Sequence, residues 1–98
     1  MQFDINFICQ ATGGELVYQK GNPGFLRVTT DSRTIQTGDL FIALKGDNFD
    51  GHDYINEALQ KGAAGAIVAN TVKILPDLYK KVAIIQVKDT LAALQKLA

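Results

Sequence analysis

Residues 40–69 read LFIALKGDNFDGHDYINEALQKGAAGAIVA, and three signals in that stretch decide the fold. Leu40 to Leu44 is an uninterrupted apolar run between turn residues, which predicts a strand buried on both faces. Tyr54, Ile55, Ala58 and Leu59 fall at i, i+1, i+4 and i+5, one face of a helix that Gly62 stops. Ala63 to Ala69 is a second buried strand. Strand, polar loop, helix, glycine and strand together spell a parallel βαβ unit.

Outward from this unit the pattern continues. Val82 to Val87 predicts a third buried strand, and Pro76 interrupts a helix or loop before it. Asp89 caps a last helix carrying Leu91, Ala92, Leu94 and Leu97 on its apolar face. Upstream, Leu26 to Thr30 alternates as a strand ending at Asp31-Ser32-Arg33, and Thr37-Gly38-Asp39 is a turn. Glu15 to Tyr18 is a short strand, followed by a turn over Lys20 to Gly24. Asp4 caps a first helix with Ile5, Ile8 and Cys9 in one stripe, stopped at Gly13-Gly14. The expected fold is a single three-layer α/β domain with a mixed, partly parallel sheet of about five strands.

Ninety-eight residues, 47% of them hydrophobic, make one domain with a core of its own. Ten Lys and Arg balance ten Asp and Glu, which gives no electrostatic footprint for nucleic acid or an anionic membrane. The single cysteine, Cys9, has no partner for an internal disulfide and is expected as a small buried thiol. There is no apolar run of the ~20 residues a membrane span needs, and no secretory signal, so the cytoplasm is the expected compartment. The last helix has no Gly, Asn or Pro beyond it, and the chain is expected to continue in a longer protein.

One His and one Cys exclude a His/Cys zinc cluster. Gly46 and Gly51 have the spacing of a phosphate-binding loop, but His52-Asp53 follows where Lys-Ser/Thr is required. G-x-G-x-x-G is missing, and Ser32 lacks a nucleophile-elbow sequence. No catalytic or metal-ligating residue is expected here. What remains is a pair of polar loops, Thr30 to Arg33 and Gly46 to Gly51, at the carboxyl ends of strands, where open α/β sheets bind ligands. The second leads into a helix whose first-turn amides are donors for a polar or anionic group. Hydroxyl, amide and aromatic groups in these loops suit a nucleobase. The competing reading is purely structural: Asp31 and Ser32 close a turn, Asp50 caps the helix and Phe49 plugs the core.

At D-S-R, then G-D-L-F-x-A-L-x-G, D-G-H-D-Y and G-A, residues 28–68 resemble the N-terminal domain of the bacterial Mur ligases. Ala11-Thr12-Gly13-Gly14 and Asp89-Thr90-Leu91 extend the resemblance over almost the whole chain. It implies that residues 1–98 form the UDP-substrate-binding domain, with a central ATP-binding domain beyond them. The run Ala43-Leu44-Lys45-Gly46 with Phe49 to His52 looks most like the ligase adding D-alanyl-D-alanine to UDP-N-acetylmuramoyl-tripeptide. The alternative is the preceding ligase, which adds diaminopimelate or lysine; from another class, the rival is a stand-alone protein-interaction module.

The resemblance further implies Thr30, Ser32, Asp47, Asn48 and Phe49 as contacts to the UDP moiety. Its partners would be the UDP-N-acetylmuramoyl-peptide and the remaining ligase domains in cis, with ATP and Mg²⁺ as cofactors of the whole enzyme and none in this part. In such an enzyme ATP activates the peptide's terminal carboxylate as an acyl phosphate, which the incoming amine attacks. His52 is expected to pack the loop rather than to react.

The 98-residue chain is therefore expected to release no phosphate from ATP, because it lacks a phosphate cradle. Mg²⁺-dependent release above a protein-free blank would contradict this.

Overall fold

The computed structural model describes residues 3–69 and 81–97. In chain order the elements are α1 (Ile5–Thr12), β1 (Glu15–Lys20), β2 (Arg27–Thr29), a 3-10 turn (Ser32–Thr34) and β3 (Asp39–Ile42). A second 3-10 turn (Gly51–Tyr54), α2 (Ile55–Gln60), β4 (Gly65–Val68), β5 (Val82–Gln86) and α3 (Thr90–Leu97) follow. The five strands form one sheet in the order β1-β5-β4-β3-β2. β2, β3, β4 and β5 are mutually parallel, and β1 closes one edge antiparallel to β5. This is the expected mixed sheet. The break expected at Pro76 lies outside the described residues.

The alternation along the central strands sorts the core into two layers. Leu40, Ile42, Ile67, Ala83 and Ile85 face α1 and α3 together with Ile5, Ile8, Phe25 and Ala93. Phe41, Ala66, Val68, Val82 and Ile84 face the other side, against Ile55, Ala58 and Leu59 of α2. Both faces are therefore covered, which is why these strands read as continuous apolar runs. Each fully buried Leu, Ile or Phe contributes about 1.5–3 kcal/mol, and the sheet centre carries most of them. Gly65 is required by this packing: a Cβ there would overlap the Ala83 carbonyl oxygen and stand 2.9 Å from the Phe25 ring.

Local signals act as expected at α1. The Asp4 carboxylate accepts the Phe7 N–H at 2.7 Å, and Gly13 ends the helix with φ 71°. Several boundaries differ. β1 runs on to Lys20, two residues beyond the predicted strand, because pairing with β5 carries it on. Tyr54 is off the buried face: a 3-10 turn has three residues per turn, so it shifts phase before α2 begins. Leu91 points outward too, and the buried face of α3 is Thr90 and Ala93 with Leu94 and Leu97 half-buried. Cys9 is half-buried rather than buried, with its thiol pKa raised by desolvation.

Asp39 belongs to β3, not to the turn, and it is 1% exposed. Its carboxylate accepts Arg27 Nε at 2.9 Å, Arg27 Nη2 at 2.7 Å and the Gln36 N–H at 2.9 Å. The Arg27 hydrogen bonds are the main reason its carboxyl lies below the usual carboxylate range. A depressed folded pKa stabilises the fold above the unfolded value of about 3.9, and that contribution fades as pH falls through the folded pKa. Asp39→Asn should cost about 2 kcal/mol at neutral pH, since charge-assisted bonds to a buried group are lost. Melting curves of both proteins should differ clearly at pH 7 and converge as the pH is taken below 3.9 toward the acid limit.

Candidate functional site

Two loops meet where β2 and β3 end. After β2, the Thr29 hydroxyl accepts the Asp31 N–H at 3.2 Å, and the Asp31 carboxylate accepts the Arg33 N–H at 2.9 Å. That carboxylate also takes the Arg33 guanidinium through Nε and Nη2, both at 3.1 Å. The guanidinium bond is the leading cause of the lowered Asp31 pKa. Ser32 opens the 3-10 turn and is buried; its carbonyl accepts Lys61 Nζ at 3.1 Å, tying the turn to the far end of α2. Among the described residues its hydroxyl takes part in no hydrogen bond.

After β3, the chain leaves the sheet and returns. Lys45 bridges to Asp50, and the Gly46 N–H reaches the Phe49 carbonyl at 2.7 Å. Gly51 N–H then binds the Leu44 carbonyl at 2.7 Å. A Cβ on Gly51 would stand 2.9 Å from Ala43 Cα and from Leu44 N, so only glycine lets the loop lie this close to the strand. Asp50 accepts the His52 N–H at 3.0 Å and lies 2.6 Å from His52 Nδ1. These two contacts, the backbone one first, hold its carboxyl below the ordinary range. On its other side, His52 Nε2 accepts the Ala69 N–H at 2.9 Å, just past the end of β4.

Between the loops lies a cleft of about 620 Å³ lined by Thr30, Asp31, Ser32, Arg33, Phe49, Tyr54 and Glu57. Thr30, Ser32 and Phe49 are thus brought together as expected, whereas Asp47 and Asn48 sit exposed on the same loop outside that lining. Phe49 does not plug the core. It is 47% exposed and stacks on Tyr54 with ring centroids 5.4 Å apart and planes at 13°. The structural reading holds for Asp31 and Asp50, which close turns.

One expectation fails. The first-turn amides after Gly51 are not open donors, because Asp50 and Leu44 already occupy them. Sequence reasoning also missed Tyr54 and Lys61. The spacing of Tyr54 predicts the buried helix face, and the phase shift of a 3-10 turn carries no composition signal.

The arrangement offers an aromatic face, two hydroxyls and a neutral ion-paired rim, which suits a polar planar ligand. It does not suit ATP with Mg²⁺. His52-Asp53 stands where a phosphate-binding loop has its lysine, and no group of three His, Cys, Asp or Glu converges among the described residues. No step of phosphoryl chemistry is assigned to these side chains.

A sequence model described as "Mur ligase family, catalytic domain" matches residues 26–98. The chain is 45% identical over 71 residues to a UDP-N-acetylmuramoyl-tripeptide–D-alanyl-D-alanine ligase from Synechocystis sp., covering 72% of this chain and 15% of that one. It is 48% identical over 56 residues to a UDP-N-acetylmuramoyl-L-alanyl-D-glutamate–2,6-diaminopimelate ligase from Geobacillus kaustophilus, covering 57% of this chain and 11% of that one. MurF from Acinetobacter baumannii superposes on 99% of this chain with TM-score 0.80 at 31% identity, using 20% of its own length. The chain therefore spans 15% of the length of the first of these relatives.

Two glycines of the second loop should behave oppositely. Gly51→Ala places a methyl against backbone that cannot rotate away, and should cost about 2 kcal/mol by overpacking. Gly46→Ala meets nothing nearer than 4.0 Å and should change stability by less than about 0.5 kcal/mol. Thermal melting of the two variants checks the contrast.

Proposed function

The chain belongs to the Mur ligase family, and from that premise we propose that residues 1–98 are the first, UDP-binding domain of a longer ligase of peptidoglycan precursor synthesis. In this reading the cleft receives the uridine-diphosphate end of a UDP-N-acetylmuramoyl-peptide. The observation that carries it is the meeting of Thr30, Ser32 and Phe49, which are 19 positions apart at most (49 − 30), in one cleft at the carboxyl ends of parallel strands. The stacked Phe49 offers uracil a π face, and the Ser32 hydroxyl is available as a hydrogen-bond partner. Asp47 and Asn48 complete the proposed contacts from the loop rim.

Within the family, addition of D-alanyl-D-alanine to the tripeptide is the step proposed. Ala43-Leu44-Lys45-Gly46 followed by Phe49 to His52 supports it, as do the Synechocystis and Acinetobacter relatives. The second reading is the preceding ligase, favoured by the Geobacillus relative at 48% identity. Under either, ATP and Mg²⁺ are held by the remaining domains in cis, and the enzyme works in the cytoplasm. Among the described residues no helix is long and apolar enough to cross a membrane.

An amide-shift titration with UDP and with UMP tests the site. Shifts should concentrate on residues 30–33 and 46–54. Ser32→Ala should melt like the wild type and bind UDP about fivefold more weakly, the loss of one neutral hydrogen bond of about 1 kcal/mol. Shifts confined to another face, or a variant that melts early yet binds UDP normally, would remove Ser32 from the site.

A further inference from the structure

His52 is 8% exposed at its side chain, yet it is neither packed as an apolar group nor left as a bare acid–base centre. Both ring nitrogens are engaged, and on opposite sides. The Ala69 N–H points at Nε2 and can only donate, so Nε2 must present a lone pair. The proton then belongs on Nδ1, where the Asp50 carboxylate accepts it at 2.6 Å. One tautomer satisfies both neighbours: neutral imidazole with hydrogen on Nδ1. Ala69 follows the last residue of β4 and Asp50 sits in the loop after β3, so the ring joins that loop to the end of the next strand.

The position of this joint in the chain matters. Phe49 lies three residues before His52 and Tyr54 two residues after it, and these are the two rings that stack to make one wall of the cleft. Between them, among the described residues, the segment is tied to the strand ends twice: the Gly51 N–H donates to the Leu44 carbonyl, and the His52 side chain accepts the Ala69 N–H at Nε2. The first fixes how close the loop lies to β3. The second ties it to the end of β4 from within the 3-10 turn that carries Tyr54. Neither ring is held by burial, since both are more than a third exposed.

We propose that His52, as the neutral Nδ1–H tautomer, is a positioning residue that sets the Phe49–Tyr54 wall of the cleft by bridging Asp50 to the Ala69 amide. It touches no ligand itself. The consequence for UDP rests on the binding role proposed above; the effect on the two rings does not.

The test uses the 98-residue chain. Long-range proton–nitrogen spectra of the wild type should show hydrogen on Nδ1 and a bare Nε2; hydrogen on Nε2 would overturn the proposal without any mutation. His52→Asn keeps a donor beside Asp50 but cannot reach Ala69. It should stay folded, with β4 and β5 amides unmoved, while the ring-current shifts of Phe49 and Tyr54 collapse and UDP binding weakens about tenfold. His52→Gln places a carbonyl oxygen near the position of Nε2 and should restore most of both signals. A folded His52→Asn protein that keeps the stacked-ring shifts would overturn the inference, as would a His52→Gln protein no better than His52→Asn. Wild-type protein that fails to bind UDP would sink the binding role alone, and the ring shifts would still decide the part played by His52.

Discussion

A single carboxylate holds the site-bearing edge of the sheet in register. β2 is only three residues long and lies at an edge, with Arg27 exposed and Val28 and Thr29 half-buried. Left to hydrophobic packing, such a strand is weakly registered, and a slip of one residue would turn its side chains to the opposite faces. Asp39 removes that freedom. It receives both arms of Arg27, its direct partner across the β2–β3 ladder, and the Gln36 N–H from the connection between the two strands. A buried charge is tolerated only when it is fully met, and here three donors meet it. Since Thr30 to Arg33 begin where β2 ends, that ion pair also decides where the first wall of the cleft stands.

The second wall is set differently. The loop after β3 has no apolar anchor between Leu44 and Ile55, and its two aromatics are turned outward. Its conformation is carried by polar contacts at short sequence range: Gly46 to Phe49, Gly51 to Leu44 and Asp50 to His52. Among the described residues, the loop's contact to a distant element is made by His52. Hydrogen bonds are directional where apolar contacts are not, which suits a wall that must hold two exposed rings at a defined angle.

How legible this was depends on the range of the interaction that decided it. Leu40 to Leu44, Ala63 to Ala69 and Val82 to Val87 were readable as buried strands because two-sided burial leaves an apolar run in the sequence itself. The cap at Asp4 and the stop at Gly13 were readable because both act within one turn. Thr30, Ser32 and Phe49 were legible as a cluster through their place in the motifs. Tyr54 and Leu91 were not. Their spacing fits an ideal helix, and a 3-10 turn in one case and the packing of α3 through Thr90 and Ala93 in the other moved them off the apolar face. Arg27 with Asp39, and Lys61 with Ser32, are partners across 12 and 29 residues, and no local pattern pairs them.

The same topology explains why the cleft opens at one end of the sheet and not the other. Both faces are taken by helices, so polar groups can be displayed only where strands begin or end. The beginnings of β3 and β4 are closed against each other. Gly38, at φ 91°, donates its N–H to the carbonyl of Gly62, at φ 118°, and the Ala64 N–H binds the Asp39 carbonyl. Two glycines at positive φ make this junction a tight one, since a side chain at those angles would be strained. At the opposite end stand the polar turn that follows β2 (30–34) and the eight residues between the end of β3 and the second 3-10 turn (43–50). The chain spends its tight turns where the sheet starts and its long loops where it stops, and that asymmetry is what leaves a cleft for Thr30, Ser32 and Phe49 to line.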